Sequence, residues 1–164
     1  LDIEQPQGRE LLLRLVADAD VLIESYPPGH LESLDLGYQV LRETNAKLVV
    51  SSITYFGQTG PYRDYRGGDL VVQALGGFLH AVTGSADLPP MGTALEQMEI
   101  TVARNGAIAI MAALLHRQKS GEGQHIDLST MEAAVSTPSG LIHPYSFTGR
   151  SPKRGGSDGN VTVS

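Results

Sequence analysis

The sequence predicts an α/β fold, with a parallel sheet of Rossmann-like type and helices on both faces, followed by a helical segment. Two short runs of apolar and β-branched residues, 21–23 and 48–53, each follow a stretch with helical spacing. Continuous apolar strands that alternate with helices are typical of a parallel sheet buried on both faces. After residue 66 the pattern changes to longer helices that carry small residues on one face, which places the helical segment there.

The first half of the chain contains two helix–strand units. The first helix is expected to begin near Pro6, because proline suits the first helical turn. Its strand, residues 21–23, ends before the proline–glycine break at 27–29. A short helix over residues 38–44 then leads into the second strand, 48–53, which a glycine-rich turn closes. Both strands are therefore expected to be buried and parallel.

The second half is predicted to be mainly helical, over residues 70–80 and 100–119. Two glycines end the second of these helices, and residues 124–128 alternate like a strand. Ser129 and Glu132 stand at the spacing of a capping box, so we expect Ser129 to cap a further helix.

Composition excludes several classes of function. The formal net charge is −6 and no long run of Lys and Arg occurs, which argues against sequence-independent binding of nucleic acid. The chain has no cysteine, so thiolate nucleophiles, disulfides and cysteine zinc sites are excluded. No uninterrupted apolar run approaches the roughly 20 residues that cross a bilayer, and the histidines lack metal-ligand spacing. We therefore expect a cytoplasmic protein with no metal site and with neither nucleic acid nor a membrane as partner.

Both ends indicate a piece of a longer protein. The chain starts at Leu1 instead of a methionine, and its last residues, 161–164, resemble the opening of a strand. We expect an internal fragment.

Five segments share their order and spacing with one enzyme family. They are Ala19-Asp20-Val21-Leu22-Ile23-Glu24 with Pro28-Gly29, residues 34–38, Phe56-Gly57-Gln58-Thr59-Gly60-Pro61-Tyr62, Gly68-Asp69-Leu70 with Gly76-Gly77, and Ala112-Ala113-Leu114-Leu115-His116-Arg117 with Gly121-Glu122-Gly123-Gln124. Together these segments resemble the family III CoA-transferases, which include the α-methylacyl-CoA racemases.

The resemblance implies an enzyme that moves coenzyme A (CoA) between an acyl-CoA and a carboxylic acid. In this family a side-chain carboxylate attacks the thioester and carries the intermediate. CoA and acyl-CoA are substrates, and no cofactor is bound permanently. Family members form homodimers that are interlocked like two rings of a chain. On this interpretation residues 1–66 are part of the CoA-binding α/β domain, residues 67–150 are its helical region with the nucleophile, and residues 151–164 begin a linker to a missing domain.

The resemblance places the family's catalytic aspartate on Glu99, and the glycine four residues later on Ala103. A glutamate can form the same anhydride, although its side chain is one methylene longer. Glu96, one turn earlier, is the next candidate if the correspondence shifts. Without the resemblance, Glu99 is interpreted as a solvated carboxylate in the first turn of a helix, where the helix dipole stabilises its negative charge.

The positions that bind CoA in the family depart further from its pattern. An arginine after the first strand is replaced by Pro27, a second arginine by Ser33, and a lysine after the second strand by Thr54. Each change removes a charge-assisted contact to phosphate or adenine. Tyr26 can still stack on a base, and backbone groups near Ser25 can still bind. The implied CoA site therefore has fewer positively charged side chains than the sites of other family members.

Two alternative functions stay within the family. The first is a non-catalytic CoA-transferase-like half or scaffold of a larger tandem enzyme, which the lost cations would explain. The second is an acyl-CoA racemase, but racemases of this family carry a histidine where this chain has Gly68, so no imidazole stands there for proton transfer. His80, at the end of the same predicted helix, is expected to be packed or to act as a cap.

Outside the family, Ser129, Asp127 and His125 have the residue types of a hydrolase triad, but the chain has no G-x-S-x-G motif. Alternation along the strand predicts that His125 and Asp127 point to one side. The loop that holds Arg63 and Arg66 is expected to be solvated.

Overall fold

The computed structural model describes residues 1–81, 88–137 and 145–150. Its strands are β1 (Val21–Glu24), β2 (Val49–Thr54) and β3 (His125–Ser129), and its helices are α1 (Pro6–Ala17), α2 (His30–Ser33), α3 (Tyr38–Thr44), α4 (Asp69–Leu75), α5 (Phe78–Ala81), α6 (Gln97–Ser120) and α7 (Thr130–Ser136). The expected linker over residues 151–164, and the strand expected at its end, lie outside the described residues. The predicted division at residue 66 stays a prediction.

The three strands form one parallel sheet in the order β1-β2-β3. Val21 pairs with Val49, and Val50 pairs with His125. The parallel sheet predicted from the apolar runs is confirmed, but the expected burial holds only for β2, because Ile23 of β1 is 59% exposed. Because all strands run in the same direction, the loops that follow them emerge at one edge of the sheet.

Helices α1 and α3 cover one face of the sheet. Val16 of α1, Leu41 of α3, Leu48 and Val50 form one buried cluster there. Each of these four side chains is at most 2% exposed. The helical spacing of the apolar residues in α1 therefore serves this contact.

Helix α6 covers the other face, where it contacts β2 and β3. It approaches the sheet closely at Gly106, where an added Cβ would lie 2.9 Å from the Cδ1 atom of Leu128. A second buried cluster lies beside this contact, and it contains Phe56, Val72, Phe78, Met98 and Ala134. The predicted cover of helices on both faces is therefore present.

Two local features differ from the sequence prediction. The helix expected over residues 70–80 is divided into α4 and α5, because Gly77 has a φ of +78°, a left-handed value that breaks the helix. The short helix α2 was not predicted, and Gly29 precedes it with a φ of +85°.

The predicted cap is confirmed, since the Oγ of Ser129 accepts a hydrogen bond from the backbone N–H of Glu132 at 3.2 Å.

Helix α6 is the one described helix that is long and apolar enough to cross a membrane, with a mean hydropathy of 1.4 over 18 residues. The expectation from uninterrupted apolar runs missed it, because polar residues interrupt the helix. Several of its apolar side chains are exposed: Ile100, Ile108, Met111 and Leu115. A core helix of a water-soluble protein passes the same test of length and composition.

Candidate functional site

A cleft of about 750 Å³ opens at the carboxyl ends of β1 and β2. Ligands of open α/β sheets bind at this edge, because the loops that follow the strands meet there. The walls come from residues 25–28, 53–56 and 63–67, together with Glu99, Val102, Ala103 and Thr130. Loops after two strands and the N-terminal parts of two helices therefore build one concave surface.

Glu99 lies in the first turn of α6 and lines this cleft. Its side chain is half-buried, and its Oε1 accepts a hydrogen bond from the hydroxyl of Tyr55 at 3.2 Å. A carboxylate at this end of a helix is favoured by the helix dipole. The alternative of a fully solvated carboxylate does not fit, because Glu99 is partly enclosed and has a specific partner.

Tyr55 is held in place by the loop that follows it. Its ring packs on Gly67, where an added Cβ would lie 2.2 Å from the Cγ of Tyr55. Burial, and then the charge of Glu99, raise the pKa of the Tyr55 hydroxyl above 10.0. The hydroxyl therefore remains protonated at neutral pH and can donate to the carboxylate.

The start of α6 is fixed by side chains of α4. Asp69 accepts a hydrogen bond through Oδ1 from the backbone N–H of Met98 at 2.9 Å, and through Oδ2 from the side-chain amide of Gln73. Gln73 is only 1% exposed, and its Oε1 accepts from the backbone N–H of Thr93 at 3.2 Å. These bonds fix the residue that precedes Glu99 and thereby limit where the carboxylate can lie.

Most of the residues assigned to CoA by resemblance meet at this cleft. Ser25, Tyr26, Pro27 and Thr54 line it together with the carboxylate of α6. Ser33 is not among the residues that line it. It is the last residue of α2 and is exposed. The hydroxyl of Ser33 donates instead to a carbonyl of its own helix at 2.7 Å.

The arginines of the loop after β2 were missed by the sequence analysis. Arg63 and Arg66 were expected in a solvated loop; Arg66 is exposed as expected, but Arg63 is half-buried, and both line the cleft. The signal that could have found them is their position shortly after a buried parallel strand, because such loops lie at the ligand edge of the sheet.

The hydrolase residues do not form a triad. Ser129 is buried and caps α7 by accepting from the backbone N–H of Glu132. His125 forms a hydrogen bond with the hydroxyl of Ser52 at 2.8 Å, and Asp127 accepts from a backbone N–H of the loop after β2 at 3.0 Å. Ser129, His125 and Asp127 each bond to a different partner and not to one another, so they do not form a triad.

A racemase site is not supported by the lining of the cleft. No histidine of the described part of the chain lines it. Gly68 precedes α4, and His80 lies in α5 and is exposed, so His80 is not packed in the core; that it acts as a cap stays a prediction. In residues 1–81, 88–137 and 145–150, no cluster of three His, Cys, Asp or Glu side chains is suited to a metal ion.

Comparison with known proteins gives a consistent family. The model of CoA-transferase family III matches residues 1–164. The chain is 40% identical over 153 residues to a succinate–glutarate CoA-transferase of Agrobacterium fabrum, covering 93% of this chain and 38% of the relative. It is 38% identical over 160 residues to a succinyl-CoA:mesaconate CoA-transferase of Haloarcula hispanica, covering 95% of this chain and 40% of the relative.

A solved structure shows the same fold. The crystal structure of a CAIB/BAIF family protein from Brucella suis superposes with a TM-score of 0.88 and 38% sequence identity, over 93% of this chain and 40% of that chain. The chain thus spans about two-fifths of the length of these relatives. From the family match over its whole length and the shared fold, the chain belongs to CoA-transferase family III.

Proposed function

We propose that the whole protein is a CoA-transferase that moves CoA from an acyl-CoA to a carboxylic acid, with Glu99 as the carboxylate that carries the intermediate. One observation carries the proposal. The carboxylate of Glu99 lines a cleft of about 750 Å³ and is oriented by a hydrogen bond from Tyr55. Residues that correspond to CoA-binding positions of the family line the same cleft.

The proposed chemistry needs only one well-placed carboxylate and two substrates. An oxygen of Glu99 attacks the thioester carbonyl carbon and the C–S bond breaks, which forms a mixed anhydride and releases CoA as a thiolate. The thiolate then attacks the glutamyl carbonyl, which releases the first acid and leaves a glutamyl-CoA thioester. A second carboxylate attacks the carbonyl carbon of this thioester, the C–S bond breaks, and a new anhydride forms as CoA leaves again as a thiolate. The returning thiolate takes the new acyl group and restores the free carboxylate of Glu99.

Tyr55 acts as a positioning residue in this scheme. Its donated hydrogen bond fixes one oxygen of Glu99 and leaves the other oxygen available to attack. Orientation of this kind matters because a displacement of about 1 Å can reduce the rate on the order of a hundredfold.

We further propose that the acids exchanged are dicarboxylic acids. The support is the similarity to two relatives whose names give succinate with glutarate and succinyl-CoA with mesaconate. A cleft of about 750 Å³ falls within the usual range of roughly 300–1,000 Å³ for small-molecule sites.

The experiment incubates the whole protein with succinyl-CoA, traps the intermediate with hydroxylamine and locates the modified residue by mass spectrometry. We expect a hydroxamate on Glu99 and no transfer activity in the Glu99→Gln variant. Glu96→Gln is the matched control, since Glu96 lies one turn away, is exposed and is not part of the cleft wall. Full activity in Glu99→Gln, or a hydroxamate on Glu96, would overturn the assignment.

A second candidate is a non-catalytic half of a larger tandem enzyme. The observation that favours it is the absence of cations at Pro27, Ser33 and Thr54, where family members bind CoA. The same trapping experiment separates the two candidates. Binding of CoA without an adduct on Glu99, or no binding at all, supports the non-catalytic half.

A further inference from the structure

The loop after β2 brings positive charge into the cleft. Among the described residues that line the cleft, Arg63 and Arg66 are the only Arg, Lys or His side chains, and Asp64 and Glu99 are the only acidic ones. Within the described part of this chain, these two guanidinium groups are therefore the cationic side chains that an anionic ligand of the cleft could contact.

Arg63 lies beside the turn that follows β1. Its Nη2 atom is 3.0 Å from the position that a Cβ on Gly29 would take, so the guanidinium lies against that turn. Pro27, two residues before Gly29, stands where the family resemblance implies an arginine that binds CoA. A cation from the next loop therefore occupies the neighbourhood of the lost one.

The guanidinium of Arg63 has hydrogen-bonding capacity left over. Its Nε atom is buried and makes no hydrogen bond. Its ion pair with Asp64 is long, at 3.9 Å, and the Asp64 side chain is 84% exposed. An exposed and distant ion pair contributes little, whereas a buried N–H without a partner is unfavourable until an acceptor arrives.

We propose that Arg63 binds the phosphate groups of CoA and replaces the cations that are missing at Pro27 and Thr54, the two of these positions that line the cleft. The proposal rests on the proposed function, because it assumes that CoA enters this cleft. A guanidinium suits a phosphate because its planar N–H groups can donate two parallel hydrogen bonds. The phosphate contact would also satisfy the Nε donor.

The experiment titrates CoA, dephospho-CoA and pantetheine into the whole protein by calorimetry, with wild type, Arg63→Gln and Arg63→Lys. We expect Arg63→Gln to weaken CoA binding about ten- to a hundredfold, the range for loss of a charged hydrogen bond. Arg63→Lys keeps the charge without the planar guanidinium, so its affinity for CoA should lie between those of wild type and Arg63→Gln. Pantetheine lacks the nucleotide phosphates, so its binding should be the same in all three proteins.

Dephospho-CoA identifies which phosphate is contacted. If Arg63→Gln weakens the binding of dephospho-CoA as much as that of CoA, Arg63 contacts the diphosphate. If the binding of dephospho-CoA is unchanged, Arg63 contacts the 3′-phosphate. The matched control is Arg14→Gln, an exposed arginine of α1 paired with Glu10 outside the cleft, and it should bind CoA like wild type.

Three results would contradict the proposal. Unchanged CoA binding in Arg63→Gln overturns the role of Arg63 while CoA transfer stands. Equal weakening of pantetheine indicates a structural role and also overturns it. If wild type binds no CoA at all, the proposed function itself fails. Thermal unfolding of each variant, with Arg63→Lys as the conservative change, separates loss of binding from loss of the fold.

Discussion

The contact between Tyr55 and Glu99 determines where the candidate nucleophile stands. By the family resemblance the position carries aspartate, and glutamate extends the carboxylate by one methylene. The hydroxyl of Tyr55 meets that longer side chain at 3.2 Å, and Gly67 leaves room for the tyrosine ring. The residues at these three positions therefore suit one another as a set.

The first prediction concerns the length of the side chain. Glu99→Asp should lower kcat roughly ten- to a hundredfold, because the shorter carboxylate moves by about 1 Å or more away from Tyr55. The Kd for CoA should not change. Glu96→Asp is the control, because it makes the same change on an exposed residue. An equal or higher kcat in the Glu99→Asp variant would show that the bond from Tyr55 is not needed for catalysis.

The second prediction concerns the Tyr55 hydroxyl and pH. Its pKa is raised above 10.0 in the folded protein, first by burial and then by Glu99. The protonated tyrosine therefore stabilises the fold fully below pH 10.0, and this contribution is lost as pH rises through the raised value. The Tyr55→Phe variant should not show this decrease in the free energy of unfolding at high pH. Urea unfolding of both proteins from about pH 8 to about pH 11 measures it, and parallel curves would contradict the assignment.

At the scale of elements, α4 and α6 form one unit around the candidate site. Asp69 of α4 accepts from the backbone of Met98, and the buried Gln73 connects Asp69 to Thr93. Asp69 thus satisfies an N–H of the first turn of α6 that has no partner within its own helix. A long helix that is fixed at its first turn keeps its carboxylate in place even when the far end moves.

The third prediction compares two adjacent glycines. Gly67→Ala should displace the Tyr55 ring, because the new Cβ would lie 2.2 Å from its Cγ, and it should destabilise the fold by about 1–3 kcal/mol and reduce activity. Gly68→Ala is the matched control, since no atom lies within 4 Å of its added Cβ. Equal unfolding midpoints and equal kcat for the two variants would exclude the proposed contact.

The strands and long helices could be predicted from periodicity, because apolar runs such as residues 48–53 depend on burial alone. The break at Gly77 could not, since a glycine pair is compatible with a helix until packing selects the left-handed conformation. The position of Glu99 in the cleft followed from the family resemblance. The place of Arg63 did not, because its contact with the turn at Gly29 joins two loops that only the folded sheet brings together.

At the scale of the whole molecule, α6 presents apolar side chains that this chain leaves uncovered. Ile108 is 63% exposed, Met111 56% and Leu115 63%. The chain spans only 38–40% of the length of its relatives. We propose that further parts of the whole protein, or the second protomer of a homodimer, cover this face.

The fourth prediction follows from this exposed face. The 164-residue chain alone should self-associate, because contiguous apolar surface favours contact between copies. Ile108→Glu should reduce the association, as measured by sedimentation velocity over a range of concentrations. Gln118→Glu is the control, because it adds the same charge at an exposed position of α6. Association that is insensitive to Ile108→Glu would place the contact elsewhere.

The connectivity of the parallel sheet also affects when the candidate site forms during folding. Strand β3 pairs with β2 through Val50 and His125, so α6 belongs to the long connection between two neighbouring strands. Contacts between such distant segments form late, because closing a long loop is entropically unfavourable. On the proposed function, a nascent chain that has made only β1 and β2 therefore carries no reactive carboxylate beside a bound thioester. Acyl-CoA then meets the carboxylate only in molecules in which α6 has packed on β2.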